Sequence, residues 1–170
     1  MQISEKEWSS PGAKLIVLYG RRRIGKTTLL SEFFKKKNGV FYISDDIHYK
    51  LQVDDLRKYL ADFFQDSFMR KFKINELEDL FQHLSKIIDP KRRFFIVLDE
   101  FTYLIKKDNS ILTRLQRLWD TLLIKTNTFL VLCGSNLRMM QDEVLSYSSP
   151  LYGRRSRDML LNAFWVYQCQ

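Results

Sequence analysis

Apolar residues along this chain fall into two alternating patterns. Four short runs, Leu15 to Tyr19, Val40 to Ser44, Phe94 to Leu98 and Phe129 to Cys133, are continuous and rich in β-branched and aromatic residues. That is the signature of strands buried on both faces of a parallel sheet. Met159 to Phe164 is a weaker fifth candidate. Between the runs the apolar period becomes helical. Leu29, Leu30, Phe33 and Phe34 follow the first run, with Asn38-Gly39 expected to stop the helix. Val53, Leu56, Tyr59, Leu60, Phe63 and Phe64 form a second stripe, and Leu77, Leu80, Phe81, Leu84 and Ile87 a third, ended by Asp89-Pro90. Ser110 is placed to cap a fourth helix carrying Ile111, Leu115, Leu118, Trp119 and Leu122, and Leu137 to Leu145 reads as a fifth. Strands alternating with helices predict an α/β layer fold with right-handed crossovers. Ligands of such sheets sit at the carboxyl ends of the strands, here just after Tyr19, Ser44, Leu98 and Cys133.

Length and charge narrow the picture. The 170 residues carry 28 Lys and Arg against 20 Asp and Glu, a net charge of +8. No repeat, low-complexity tract or Pro/Gly-rich linker divides them, so residues 1–170 read as one domain. No stretch approaches the ~20 apolar residues of a membrane span, and Met1 to Ala13 lacks the basic start and apolar core of a signal peptide. A cytoplasmic location is expected. Cys133 and Cys169 have neither disulfide nor zinc spacing and read as ordinary thiols. The basic balance suits a nucleic acid, and also a polyanionic nucleotide.

The strongest chemical signal follows the first strand. Gly20-Arg21-Arg22-Arg23-Ile24-Gly25-Lys26-Thr27 matches G-x-x-x-x-G-K-[ST] and opens the first helix. Gly20 and Gly25 let the backbone wrap until successive N–H groups converge on phosphates, and the helix start adds partial positive charge. Lys26 is expected to reach the β- and γ-phosphates, and the Thr27 hydroxyl to ligate Mg2+. With Thr28, these residues form the candidate nucleotide-binding set. Arg21, Arg22 and Arg23 occupy the variable positions, where neutralising the nucleotide, touching a partner and a solvated loop all remain open.

The third strand ends in Asp99-Glu100, an apolar run followed by an acid pair. Asp99 is placed to hold Mg2+ with Thr27, and Glu100 to polarise a water for attack on the γ-phosphate. The fourth ends in Cys133-Gly134-Ser135-Asn136. Ser135 or Asn136 would orient that water, while Asn136 is equally suited to cap the next helix. Arg154, in Pro150-Leu151-Tyr152-Gly153-Arg154-Arg155-Ser156-Arg157, is a candidate arginine finger ahead of Arg155; a basic surface turn is the alternative.

Taken in order, Gly-Arg-Arg-Arg-x-Gly-Lys-Thr, Leu-Asp-Glu-Phe, Leu-Cys-Gly-Ser and Pro-Leu-Tyr-Gly-Arg-Arg resemble the archaeal-type P-loop ATPase family, close to the STAND branch of AAA-like NTPases. The resemblance runs from about Leu15 to Leu161. It implies a three-layer α/β/α sandwich with a five-stranded parallel sheet of order 5-1-4-3-2, ATP rather than GTP, and Mg2+-dependent hydrolysis. Independently, no Asn-Lys-x-Asp guanine-reading motif is present. Such proteins usually begin with a helical segment and continue past the fifth strand into a helical lid and further domains. This chain starts almost at Leu15 and stops at Gln170, so lid and effector domains are expected to be absent. The residues after Leu161 depart from the pattern, and Trp165 and Tyr167 are expected to face an absent domain.

The leading functional expectation is an ATPase core, with ATP and Mg2+ as ligands, whose hydrolysis drives conformational change in attached or partner domains. Self-association is a further expectation. The alternatives are a non-catalytic ATP/ADP-gated switch that associates with protein or nucleic acid, and a small nucleoside or nucleotide kinase.

Overall fold

The computed structural model describes residues 5–162. Five strands, β1 (Lys14–Tyr19), β2 (Gly39–Ile43), β3 (Phe94–Asp99), β4 (Thr128–Gly134) and β5 (Arg157–Leu160), form one sheet in the order β2-β3-β4-β1-β5. Every pairing is parallel. This is the expected order read from the other edge. The expected fifth strand lies a little early, at Arg157–Leu160, because it pairs with Ile16 to Tyr19 of β1; Ala163 and Phe164, like Trp165, Tyr167 and Cys169, lie outside the described residues.

The apolar runs are continuous because both sheet faces are covered. Leu15 and Val17 of β1 join Ile96, Leu98, Leu130 and Leu132 in the larger core, while Ile16 and Leu18 join Val97, Phe129, Val131 and Cys133 in the smaller one. Successive side chains along a strand point to opposite faces, so both faces are apolar through the middle of the strands and buried polar residues, Thr128 and Asp99, stand at strand ends. The smaller core is closed by α2 (Lys26–Phe34) through Leu30 and Phe34, with Trp8 of α1 (Glu5–Ser9) against Phe34 and Phe129. The larger is closed by α3 (Tyr49–Phe64), α4 (Ser67–Lys71), α5 (Leu77–Ile87), α6 (Thr102–Lys107) and α7 (Ile111–Thr121). The result is a three-layer α/β/α sandwich. A 3-10 turn (Leu123–Lys125) and α8 (Leu137–Met139) complete the helical segments, and no described helix is long and apolar enough to cross a membrane.

Several local expectations need correction. Short helices α1, α4 and α6 carry too few apolar residues to show a period, and each forms only with tertiary support. α2 ends at Phe34, before Asn38-Gly39, and Gly39 opens β2. Ser110 has helical backbone angles and makes no cap; its N–H and Oγ both donate to Asp108 Oδ1, at 2.9 and 2.6 Å. Tyr59 of the second stripe is exposed. The segment after β4 is α-helical only for its first turn and continues as a π-helix over Met140–Leu145, with Met140 and Val144 in the larger core.

Gly134, the last residue of β4, sets how closely the layers meet beside the strand ends. A Cβ there would collide with Met140 Sδ and Cγ and lie 3.2 Å from Thr102 Cγ2. Gly134→Ala should therefore destabilise the domain by about 1–3 kcal/mol through overpacking. Urea unfolding measures this, and an unchanged midpoint would contradict the packing argument.

Candidate functional site

Each candidate side chain is delivered by the end of a buried element. β1 ends at Tyr19, and Gly20 N–H donates to Gly134 O at 3.3 Å, which ties the loop's start to the tip of β4. Arg23 and Gly25 then take left-handed backbone angles, φ 63° and 85°. That turn brings the loop back over the start of α2, where Gly25 O accepts from Leu29 N–H at 2.9 Å. Ile24 anchors the loop by packing on the smaller core. Glycine bears φ near 85° without penalty, whereas a side chain there is strained.

Lys26 is only 5% exposed. Its Nζ donates to Gly20 O and Arg21 O at 2.9 and 2.8 Å, so the ammonium lies across the mouth of the loop with carbonyls alone as hydrogen-bond partners among the described residues. Such an uncompensated buried cation suits a polyanion. Thr27 Oγ1 donates to Asp99 Oδ2 at 2.6 Å. This bond brings two hard oxygen donors from α2 and β3 together, the chemistry and the small number of protein ligands that Mg2+ takes when phosphates supply the rest. Among the described residues no cluster of three or more His, Cys, Asp or Glu forms a richer metal cage. Thr28 is exposed on the first turn of α2.

Asp99 is 1% exposed, and its second oxygen accepts from Glu100 N–H at 2.8 Å. Cys133 lies against this carboxylate. Burial first, and then the neighbouring negative charge and hydrogen bond of Asp99, push its pKa well above the usual thiol value, so it stays a protonated thiol. Glu100 has φ 51°, a left-handed conformation unusual for a side chain of this kind. Phe101 N–H donating to Cys133 O at 2.8 Å holds the strained turn against β4. Residues kept in such conformations concentrate where function needs them.

At the tip of β4 the two polar candidates separate. Ser135 Oγ donates to Glu100 Oε2 at 2.6 Å, and Asn136 Oδ1 accepts from Met139 N–H at 3.1 Å as the cap of α8. The structure thus brings together Lys26, Thr27, Asp99, Glu100 and Ser135. It adds Arg22 and a residue the sequence reading missed, Tyr103, whose position in a short helix offered no motif. Arg21, Arg22 and Arg23 are all exposed, and of the three only Arg22 reaches across to the tip of β4 among the described residues.

Arg154 does not join them. It precedes β5, and Ser156 N–H donates to Leu15 O at the start of β1, so this turn lies at the opposite end of the sheet from the phosphate loop. At ~3.3 Å per strand residue, the separation along β1 is roughly 16 Å. Its guanidinium makes a two-pronged pair with Asp120 at 2.8 and 2.7 Å, which holds the Asp120 carboxyl below the usual range. Arg155 is turned inward, near Asp158 and Leu145 O. Topology therefore keeps Arg154 away from its own chain's phosphate loop.

A family described as "ATPase domain predominantly from Archaea" matches residues 5–167. The chain belongs to this family. An uncharacterized protein of Methanocaldococcus jannaschii is 34% identical over 156 residues, which cover 92% of this chain and 33% of that protein. An uncharacterized ATP-binding protein of the same organism is 46% identical over 37 residues, 22% of this chain and 63% of that one. Among solved structures, a Walker-type ATPase of Pyrococcus abyssi superposes with a TM-score of 0.64 at 24% identity, covering 86% of this chain and 48% of that one. The Aeropyrum pernix ORC2 protein, in its ADPNP–ADP complexes, gives 0.62 at 14% identity over 92% and 44%. This ATPase domain thus spans about a third of the first relative's length and about half of the Pyrococcus chain. The structural likenesses establish the P-loop ATPase fold.

Separating Ser135 from Asn136 gives a direct prediction. Asn136→Ala should cost about 1 kcal/mol of stability through the lost cap, and Asn136→Asp should retain most of it. Thermal unfolding of the two variants checks this; equal loss in both would show that the cap contributes nothing.

Proposed function

We propose that this ATPase domain binds ATP with Mg2+ in the cytoplasm and hydrolyses it, and that hydrolysis changes the conformation of attached or partner domains. The observation that carries the reading is the convergence of Lys26, Thr27, Asp99, Glu100 and Ser135 where β1, β3 and β4 end. In this reading the loop N–H groups and the α2 terminus receive the phosphates, and the Lys26 ammonium neutralises β- and γ-phosphate charge. Thr27 and Asp99 would hold Mg2+, which supplies further charge neutralisation on the phosphates when bound. Glu100 accepts a proton from the attacking water as that water bonds to γ-phosphorus and the bond from phosphorus to the ADP oxygen breaks. Ser135 orients the Glu100 carboxylate. Arg154 takes no part within its own chain. Exposed Arg21 and Arg23 support a second reading, ATP-gated association with nucleic acid; steep salt dependence of DNA affinity would support it and flat dependence would exclude it.

Lys26→Ala should weaken Mg-ATP binding at least about tenfold and abolish turnover. Glu100→Gln should keep the affinity within about twofold and lower kcat by about 10²–10⁴. Calorimetry and phosphate release measure the two quantities. Hydrolysis by Glu100→Gln at the unsubstituted rate would remove Glu100 from its role, and undiminished affinity of Lys26→Ala would remove the phosphate site.

A further inference from the structure

Arg22 stands at a variable position of the phosphate loop, and its side chain crosses to the tip of β4. Nη2 donates to Tyr103 Oη at 2.8 Å and Nε to Ser135 Oγ at 3.4 Å. Ser135 Oγ in turn donates to Glu100 Oε2 at 2.6 Å. Tyr103 also belongs to the turn that carries the acid, since its N–H donates to Glu100 O at 2.9 Å. The series Tyr103, Arg22, Ser135, Glu100 therefore closes a ring through the loop after β1, the turn after β3 and the tip of β4. Tyr103, Arg22 and Ser135 of this series line an open cavity of about 230 Å³, together with Thr102, Lys106 and Asn136.

A serine hydroxyl has one proton and rotates freely about its Cβ–Oγ bond. A donor fixed on its lone-pair side restricts that rotation and leaves the proton one direction, here toward Glu100 Oε2. The guanidinium donates at several fixed angles and accepts nothing, so it cannot reverse the polarity of the series. Tyr103 takes a second N–H of the same planar group and limits how Arg22 swings.

We infer that Arg22 and Tyr103 are positioning residues for hydrolysis: they orient the Ser135 hydroxyl, which commits Glu100 Oε2 and leaves Oε1 to the attacking water. The inference rests on the reading of Glu100 as the group that activates water. It assigns Arg22 a role in turnover, distinct from gripping phosphate.

The test uses the full chain with Tyr103→Phe, Arg22→Ala and Ser135→Ala, alone and in pairs. It measures kcat and KM by phosphate release and Kd for Mg-ATP by calorimetry, with thermal unfolding to confirm folding. Tyr103→Phe removes one hydroxyl and should lower kcat ~5-fold, the effect of one hydrogen bond, with KM and Kd unchanged within about twofold. Arg22→Ala should lower kcat further, at least ~10-fold. In the Ser135→Ala background neither change should lower kcat again, because groups acting through one hydroxyl are not additive. Single-variant kcat values within twofold of the unsubstituted chain would overturn the inference. So would losses that multiply in the Ser135→Ala background, or a loss in Arg22→Ala confined to Kd, the mark of a phosphate contact. Full hydrolysis by Glu100→Gln, or none by the unsubstituted chain, overturns the parent reading and this inference together. An inactive Glu100→Gln beside an unmoved Tyr103→Phe overturns the inference alone.

Discussion

The parallel pairing of β4 with β1 on one side and β3 on the other is the constraint on which the rest of the site depends. The register sets Tyr19 beside Gly134 and Leu98 beside Leu132, so three strands end at nearly one level. Residues far apart in the chain then meet without long side chains. Thr27 reaches Asp99 at 2.6 Å across 72 residues of sequence, and Ser135 reaches Glu100 at 2.6 Å across 35. Moving β4 to an edge would take Ser135 from between the phosphate loop and the acid pair.

That geometry buries charge, and charge must be compensated. Asp99 is buried and receives Thr27 Oγ1 and Glu100 N–H, while a protonated Cys133 fills the space on its β4 side. Lys26 is buried and its ammonium donates to the carbonyl oxygens of Gly20 and Arg21. Negative charge is thus stabilised at Asp99, and the positive charge of Lys26 remains directed at the loop's mouth. The left-handed backbone of Arg23 and Glu100 shows that two side-chain-bearing residues are held in unfavourable conformations at the same place. Such strain, of the order of 1–3 kcal/mol per residue, persists only where surrounding contacts over-determine the backbone. The bonds from Phe101 to Cys133 and from Gly20 to Gly134 supply that restraint.

How legible each feature was follows from the range of the interaction that makes it. The phosphate loop and the acid pair are local patterns at strand ends, and both were visible because continuous apolar runs mark strands buried on two sides. Asn136 as cap or site residue was undecidable from its neighbours, because a side-chain amide serves both purposes; only the position of Met139 N–H settles it. The place of Arg154 was undecidable for a similar reason. A basic turn next to a strand looks alike at either end of the sheet, and the end at which it lies follows from β5 running parallel to β1. Tyr103 had no local signature at all, since its hydroxyl acquires meaning only when Arg22 arrives from the other side of β4.

The linear order of residues therefore determined the layer architecture, the strand ends and the glycine-bearing loop that opens α2, because each rests on patterns within about ten positions. Tertiary structure alone decided which polar groups face one another: Ser135 on Glu100, Arg22 on Ser135 and Tyr103, Cys133 on Asp99, and Arg154 on Asp120. Those choices depend on which strand lies beside which and on the register between them. Such pairings are made by hydrogen bonds across the sheet, which leave little trace in the neighbourhood of any single residue.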